Sequence, residues 1–220
     1  DVLGSRGLGD VYKRQIRILA ASMVEKAKSG HPGGAMGGAD FINVLYSEYL
    51  QYDPKNPAWA GRDRFFLDPG HMAPMLYSQL CLIGKYSLDE LQQLRQWGSP
   101  THGHPEFEIA RGIENTSGPL GQGHAYAVGA AIAAKFLAAK TGNPSIANET
   151  IYAYISDGGV QEEISQGAGR IAGHLGLSNL VMFYDSNDIQ LSTECADVMT
   201  EDTAKTVSYT HLTLPTNSRV

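Results

Sequence analysis

Two short apolar runs dominate the second half of the chain, Ile151-Tyr-Ala-Tyr-Ile155 and Leu180-Val-Met-Phe-Tyr184. Both are rich in β-branched and aromatic residues, the pattern of strands buried on both faces. Asp157-Gly158-Gly159 ends the first run and reads as a turn. Between the runs, Glu162–His174 has helical spacing, with Ile164, Ala168, Ile171 and Leu175 along one face and Gly176 as its stop. Strand, turn, helix and strand form a βαβ unit, so the two strands run parallel. Upstream, Arg64–Leu67 predicts another strand, and Asp68-Pro69-Gly70-His71 leaves its end. Helices are predicted over Ile16–Lys28 (face Ile18, Ala21, Val24, Ala27; stop at Gly30) and Ala39–Leu50 (face Phe41, Ile42, Leu45, Tyr49). Further helices are predicted over Met72–Ile83, over Leu88–Gln96 behind the capping box Ser87-Leu-Asp-Glu90, and over Ala125–Lys140. His31-Pro32-Gly33-Gly34 and Trp97–Gly118 carry neither period and read as loops. The expected fold class is α/β, a mostly parallel sheet with helices on both faces.

Composition narrows the classes without naming one. The chain has 220 residues, 42% of them hydrophobic, enough for one sizeable α/β domain. A net charge of −6 gives no reason to expect nucleic acid or an anionic membrane as partner. No apolar run approaches the roughly eighteen residues of a membrane span, and no signal-peptide pattern follows the first basic residues. Cys81 and Cys195 form no CxxC pair and no disulfide framework, so a reduced, cytoplasmic setting is the default expectation.

The chemistry gathers at the strand tips. Parallel strands put Asp157 and Asn187 on one carboxyl edge, where open α/β sheets bind ligands. A carboxylate and an amide oxygen beside a helix N-terminus suit a hard divalent cation and a phosphate together; Mg²⁺ takes one or two protein oxygens plus phosphate oxygens. Gly158 and Gly159 let the backbone come close to such a phosphate. His71 leaves a strand at the same kind of edge. Gly118-Pro-Leu-Gly-Gln-Gly123 precedes a long helix, again with glycines and a helix N-terminus. His102 and His104 have a spacing seen in zinc sites, but no further Cys or His completes a set of ligands nearby. Arg95 reads as a solvated basic side chain, and His124 has no role assigned.

Asp157-Gly158 with the later Asn187 resembles the thiamine-diphosphate motif, with Ser156 in place of its first glycine. Ser29-Gly-His-Pro-Gly33, Asp63-Arg-Phe-Phe-Leu67, Gly70-His71, Gly103-His-Pro-Glu106 and Thr116-Ser-Gly-Pro-Leu-Gly-Gln-Gly123 are similar to the amino-terminal part of transketolase. The resemblance runs in order from about Ile16 to Lys205. It implies transfer of a two-carbon ketol unit from a ketose phosphate to an aldose phosphate, with thiamine diphosphate and Mg²⁺ (or Ca²⁺ or Mn²⁺) as cofactors. It implies His31, His71 and His104 as catalytic or substrate-facing residues. It assigns His71, Gly118, Leu120, Asp157, Gly158, Glu162 and Asn187 to the cofactor, and Asp157, Asn187 and the Ile189 carbonyl to the metal. It also implies a homodimer closed through the cofactor site, with the glutamate that activates the aminopyrimidine lying on the partner's second domain. Pro69 and Gly167 depart from the family text, the first in the loop before His71 and the second at an acidic interface position.

On this reading residues 16–206 are part of an amino-terminal thiamine-diphosphate-binding domain. Residues 1–15 and 207–220 are expected to be translated sequencing adapter: Asp10-Val-Tyr-Lys-Arg-Gln15 back-translates to GATGTGTATAAGAGACAG, and Val207-Ser-Tyr-Thr-His-Leu212 to GTCTCTTATACACATCTG. The chain alone is expected to be inactive and to leave an apolar dimer surface exposed. Other readings are deoxyxylulose-phosphate synthase, the amino-terminal subunit of a split transketolase, and a non-enzymatic metal- or phosphate-binding module.

Overall fold

The computed structural model describes residues 2–143, 149–190 and 193–209. At its centre β1 (Arg64–Leu67), β2 (Ile151–Ser156) and β3 (Leu180–Asp185) form a parallel sheet in the order β1-β2-β3. The alternation of side chains along these strands builds two apolar layers. Phe65, Leu67 and Tyr154 face one layer; Phe66, Ile151 and Ala153 face the other. The first layer is covered by α1 (Val2–Ala27), α2 (Pro32–Gly37), α3 (Ala39–Val44), its π-helical extension Leu45–Tyr49, and α4 (Ala73–Leu82). The second is covered by α6 (Gln122–Thr141) and α8 (Glu163–His174), with α5 (Leu88–Leu91) lying against the first layer. Helices on both faces of a parallel sheet are what the sequence pattern predicts.

The amino end of the sheet is pinned by ionised groups. Asp63 accepts the Thr150 N–H at 2.7 Å and the Gln51 N–H at 2.9 Å. Arg62 grips Glu114 through Nε at 2.7 Å and Nη2 at 3.0 Å, and Arg64 reaches Glu149 at 3.2 Å. Removing one partner from so buried a set leaves an uncompensated charge. This end is scaffold, and the tips from which Asp68 and Asp157 leave the sheet lie at the opposite end.

Several helices differ from the sequence reading, for physical reasons. α1 begins at Val2, well before Ile16, and buries Ile16, Ala20 and Met23 while Ile18 is exposed. Those three recur at helical intervals, and Ile18 lies off their stripe. Lys28, at φ +50°, and Gly30 end the turn. The expected His31–Gly34 loop is instead the start of α2, with His31 at its N-cap and Pro32 at the first position, where a missing N–H costs nothing. Tyr49 is exposed, and Tyr46 is buried in its place because the π-helical turn shifts the register. The helix expected over 88–96 closes after Leu91, though its capping box is intact. Asp157-Gly158-Gly159 forms a short helix, α7 (Asp157–Gln161), not a simple turn.

On α8 the buried face is Ser165, Ala168 and Ala172, and Ile164, Ile171 and Leu175 are about half exposed. Only small residues fit where α8 meets Ala127 and Ala131 of α6, so the larger side chains of the expected core face turn outward. Val181 and Phe183 of β3 are also exposed, and β3 pairs only with β2 among the described residues. Beyond β3, β4 (Ile189–Gln190) and β5 (Thr193–Glu194) make a small hairpin, followed by α9 (Cys195–Val198) and α10 (Thr203–Tyr209). No described helix is long and apolar enough to cross a membrane.

Candidate functional site

Parallel register places three strand ends side by side: Leu67 opposite Tyr154, and Ser156 opposite Asp185. Asp68, Asp157 and the segment 185–188 therefore leave the sheet on one edge. Asp157 is buried, and its carboxylate organises the turn after β3. Oδ2 accepts the Asn187 and Asp188 N–H groups, each at 2.9 Å, and Oδ1 accepts the Tyr184 hydroxyl. The Asn187 side-chain oxygen accepts the Ile189 N–H at 3.0 Å, which draws Ile189 into the same turn. Asp188 takes φ +61°, a left-handed conformation that Asp tolerates. Burial and the bond to Asp157 push the Tyr184 phenol up to about 12, so it stays a proton donor to that carboxylate. The Cys195 thiol lies against the same carboxylate, and its pKa is raised by burial and by Asp157.

This donor set fits a hard divalent cation. A carboxylate has about four acceptor positions; Asp157 uses three for the Tyr184 hydroxyl and the two N–H groups, and the Cys195 thiol lies at the fourth, so a cation would take the place of that weak donor. The Asn187 amide oxygen keeps a second lone pair, and the Ile189 carbonyl belongs to the same turn. Oxygen donors of this kind suit Mg²⁺ or Ca²⁺. Among the described residues, no group of three or more His, Cys, Asp or Glu could hold a metal by itself, and the His102/His104 pair gains no further ligands of those types.

The glycine loop before α6 packs onto this turn. A Cβ on Gly158 would lie 3.1 Å from Leu120 Cδ1, so glycine lets Leu120 sit on the Asp157-Gly158 backbone. A Cβ on Gly121, where φ is +82°, would lie 2.8 Å from the Glu162 Cβ. Glu162 is the N-cap residue of α8, exposed, with no side-chain capping bond. The α6 N-terminus is not free for a phosphate: buried Asp68 takes the Gly121 N–H at 3.0 Å and the His124 N–H at 3.2 Å.

Three histidines from distant stretches meet beside the loop. The His31 and His71 rings are 5.0 Å apart in an edge contact. His104 lies against Gly70 and Gly118: Cβ atoms there would be 3.0 Å and 4.0 Å from its Cδ2. Burial, then the neighbouring His31, His104 and Arg95, pull His71 down to about 4. Burial, Arg95 and His31 also lower His104. At neutral pH, His71 is thus an uncharged hydrogen-bonding ring.

Sequence reasoning missed several members of this edge. Arg95 is not merely solvated. It takes φ +62°, passes over Gly103, where a Cβ would lie 2.9 Å from its Nε, and donates from Nη1 to Ser29 Oγ at 2.7 Å. It ties the Ser29–His31 stretch to the Gly103–His104 stretch. Arg95, His102, His104 and fully exposed Trp97 line an open basin. Asp68 carried the same signal as Asp157, an acid directly after a strand. Tyr184, read only as strand, carried none. His124 is buried, bonds Ser165 Oγ through Nδ1 at 2.6 Å, and has no hydrogen-bond partner at Nε2; burial lowers it to about 4. It links α6 to α8.

The family model described as transketolase, thiamine diphosphate binding domain, matches residues 10–214. Among curated relatives, transketolase-1, chloroplastic, of Arabidopsis thaliana is 49% identical over 197 residues, covering 88% of this chain and 27% of that protein. Transketolase of Geobacillus stearothermophilus is 46% identical over 193 residues, covering 86% of this chain and 29% of that protein. Among solved structures, transketolase from Leishmania mexicana superposes with a TM-score of 0.87 at 41% identity, over 92% of this chain and 31% of that one. A Pichia stipitis transketolase in complex with sedoheptulose 7-phosphate superposes with a TM-score of 0.85 at 35% identity, over 92% of this chain and 30% of that one. The chain therefore spans less than a third of the length of these relatives.

Proposed function

This chain belongs to the transketolase family through its thiamine diphosphate-binding domain, and from that premise we propose that it forms the diphosphate and metal half of a ketol-transferring active site. The observation that carries the reading is the junction at the strand tips, where Leu120 of the glycine loop rests on Gly158 and the Asp157 carboxylate holds the Asn187 turn. Asp157, Asn187 and the Ile189 carbonyl would hold Mg²⁺, or Ca²⁺ or Mn²⁺ in its place, against the diphosphate. Gly158 and Gly118 would approach the cofactor through their backbones, and Leu120 would support it from below. Thiamine diphosphate, when bound, supplies the carbon that carries the two-carbon unit from one sugar to the other.

The chain's own residues then handle substrate and protons. His71, uncharged at neutral pH, would hydrogen-bond substrate oxygens, with His31 beside it and His104 on the other side. Arg95 would hold the His31 and His104 stretches at a fixed separation. A ketose phosphate donor and an aldose phosphate acceptor are the proposed substrates, in keeping with the sugar-phosphate complexes of the Pichia stipitis enzyme. The half-exposed Ile164, Ile171 and Leu175 and the exposed Glu162 fit a second copy packing across the cofactor, which would make a homodimer.

The test is calorimetric titration of the complete gene product with thiamine diphosphate and Mg²⁺. Saturable binding that needs both is expected. Binding of Mg²⁺ or inorganic phosphate with no dependence on thiamine would favour the non-enzymatic module instead. The 220-residue chain by itself should show no ketol transfer, and detectable turnover overturns that expectation. Residues 1–15 and 207–220 are proposed to be translated adapter; resequencing the source locus should return different codons there.

A further inference from the structure

Asp68 is a buried carboxylate with no place in the chemistry above. It directly follows β1, and its side chain is enclosed on every side. Oδ2 accepts the N–H of Gly121, the N-cap residue of α6, at 3.0 Å, and Oδ1 accepts the His124 N–H from the first turn at 3.2 Å. A helix N-terminus leaves such donors unsatisfied and attracts negative charge, so the carboxylate completes α6 from another strand.

The packing around it admits no slack. A Cβ on Gly123 would lie 2.5 Å from the Asp68 Cα and 2.9 Å from its N, both backbone atoms. A Cβ on Gly159 would lie 2.5 Å from Asp68 Oδ2. The glycine loop and α7 thus close on one carboxylate from two sides. On the ligand side, the same two segments meet again where Leu120 touches Gly158. Burial raises the Asp68 pKa and the loop's backbone donors lower it, so its charge rests on those bonds. The negative charge of Glu162 also reaches it.

We propose that Asp68 is a positioning residue, which acts through the backbone of residues 121–124 to set Gly118 and Leu120 at their height above Asp157-Gly158. Its hydrogen bonds go to the glycine loop and it meets α7 by packing only, so it shapes the part of the site that would face the thiamine rings more than the metal and diphosphate part. This rests on the thiamine diphosphate reading given above. Asp68→Asn keeps the shape and one acceptor, and turns an amide N–H₂ towards a backbone N–H donor. Asp68→Ser keeps one acceptor with less bulk, and serves where Asp68→Asn does not fold.

The experiment compares two probes on the complete gene product, each with Mg²⁺: thiamine diphosphate and inorganic pyrophosphate. Amide hydrogen exchange at Gly121, Gly123 and His124 is followed in parallel, and Ile42→Val, in the other core layer, is the stability control. Losing one charge-assisted hydrogen bond should weaken thiamine diphosphate about tenfold and speed exchange at those amides by a similar factor. Pyrophosphate affinity should stay within about twofold, since its proposed contacts lie on the Asp157 side. Equal weakening of both probes, as from general destabilisation, overturns the proposal; so does unchanged affinity for both. A wild-type protein that binds pyrophosphate but not thiamine diphosphate sinks the functional reading. The exchange rates then decide Asp68 alone: faster exchange supports its hold on the loop, and unchanged exchange refutes it.

Discussion

Replacing Asp157 tests folding and metal binding with one residue. In the apo protein its carboxylate already accepts the Tyr184 hydroxyl and the N–H groups of Asn187 and Asp188. A hydrogen bond to a charged group contributes about 1.5–3 kcal/mol. Asn187 and Asp188 are exposed, so water replaces part of what their N–H groups lose. The Tyr184 hydroxyl is half-buried and recovers less. Asp157→Ala should therefore cost about 3 kcal/mol, a large part of the ~5–15 kcal/mol that holds a domain together. With a urea slope of about 2 kcal/mol/M, the unfolding midpoint should fall by about 1.5 M. Asp157→Asn keeps the volume and one acceptor oxygen, so its midpoint should fall by less than half as much. A neutral amide holds a divalent cation poorly, so Mg²⁺-dependent cofactor binding should be lost in that variant. The assay is urea unfolding of the 220-residue chain, paired with cofactor titration of the complete gene product. An Asp157→Ala midpoint close to the wild type would show that the carboxylate does not organise the turn. An Asp157→Asn protein that still needs and binds Mg²⁺ would remove Asp157 from the metal ligands.

Four further outcomes follow. His71 and His124 both fall from 6.5 to about 4 on folding, so the unfolded chain takes up their protons first. Their contribution to stability is intact above about pH 6.5 and is lost as pH drops towards 4; urea midpoints across that range should show the slope, and His124→Leu should flatten part of it. Arg95→Met should raise the His71 pKa, read by NMR titration, with little change in melting temperature; an unmoved titration refutes the electrostatic link. Gly123→Ala forces a methyl onto the Asp68 backbone and should destabilise by about 1–3 kcal/mol, measured by thermal unfolding. Arg62→Met leaves the buried Glu114 carboxylate with only the longer 3.5 Å contact from Arg64, and should destabilise by about 1–3 kcal/mol in the same assay.

The strands, their parallel order and the edge they share were legible because buried strands leave short β-branched runs, and a helix between two of them dictates their direction. The capping box at Ser87 was legible because it is local. The buried faces of α1 and α8 were not, since periodicity cannot tell which of two apolar stripes meets the sheet. On α8 the answer came from α6, whose alanines accept only small partners. Asp157 and Asn187 were found by their place at strand ends, and Asp68 could have been found the same way. Arg95 could not: its reach to Ser29 depends on a left-handed residue and on the empty side of Gly103, neither of which sequence spacing reveals.

The outer margin of β3 has a practical consequence. Its backbone donors and acceptors on that side meet no neighbouring strand among the described residues, and half-exposed Val181 and Phe183 stand beside them, Phe183 with one side of its ring against Phe41 and Tyr154. Such a margin is adhesive: it recruits whatever extended backbone drifts past, and at high concentration that is another molecule of the same kind. Purified samples should cloud as they are concentrated. A lysine at position 181, repelling its own copies, should keep them clear.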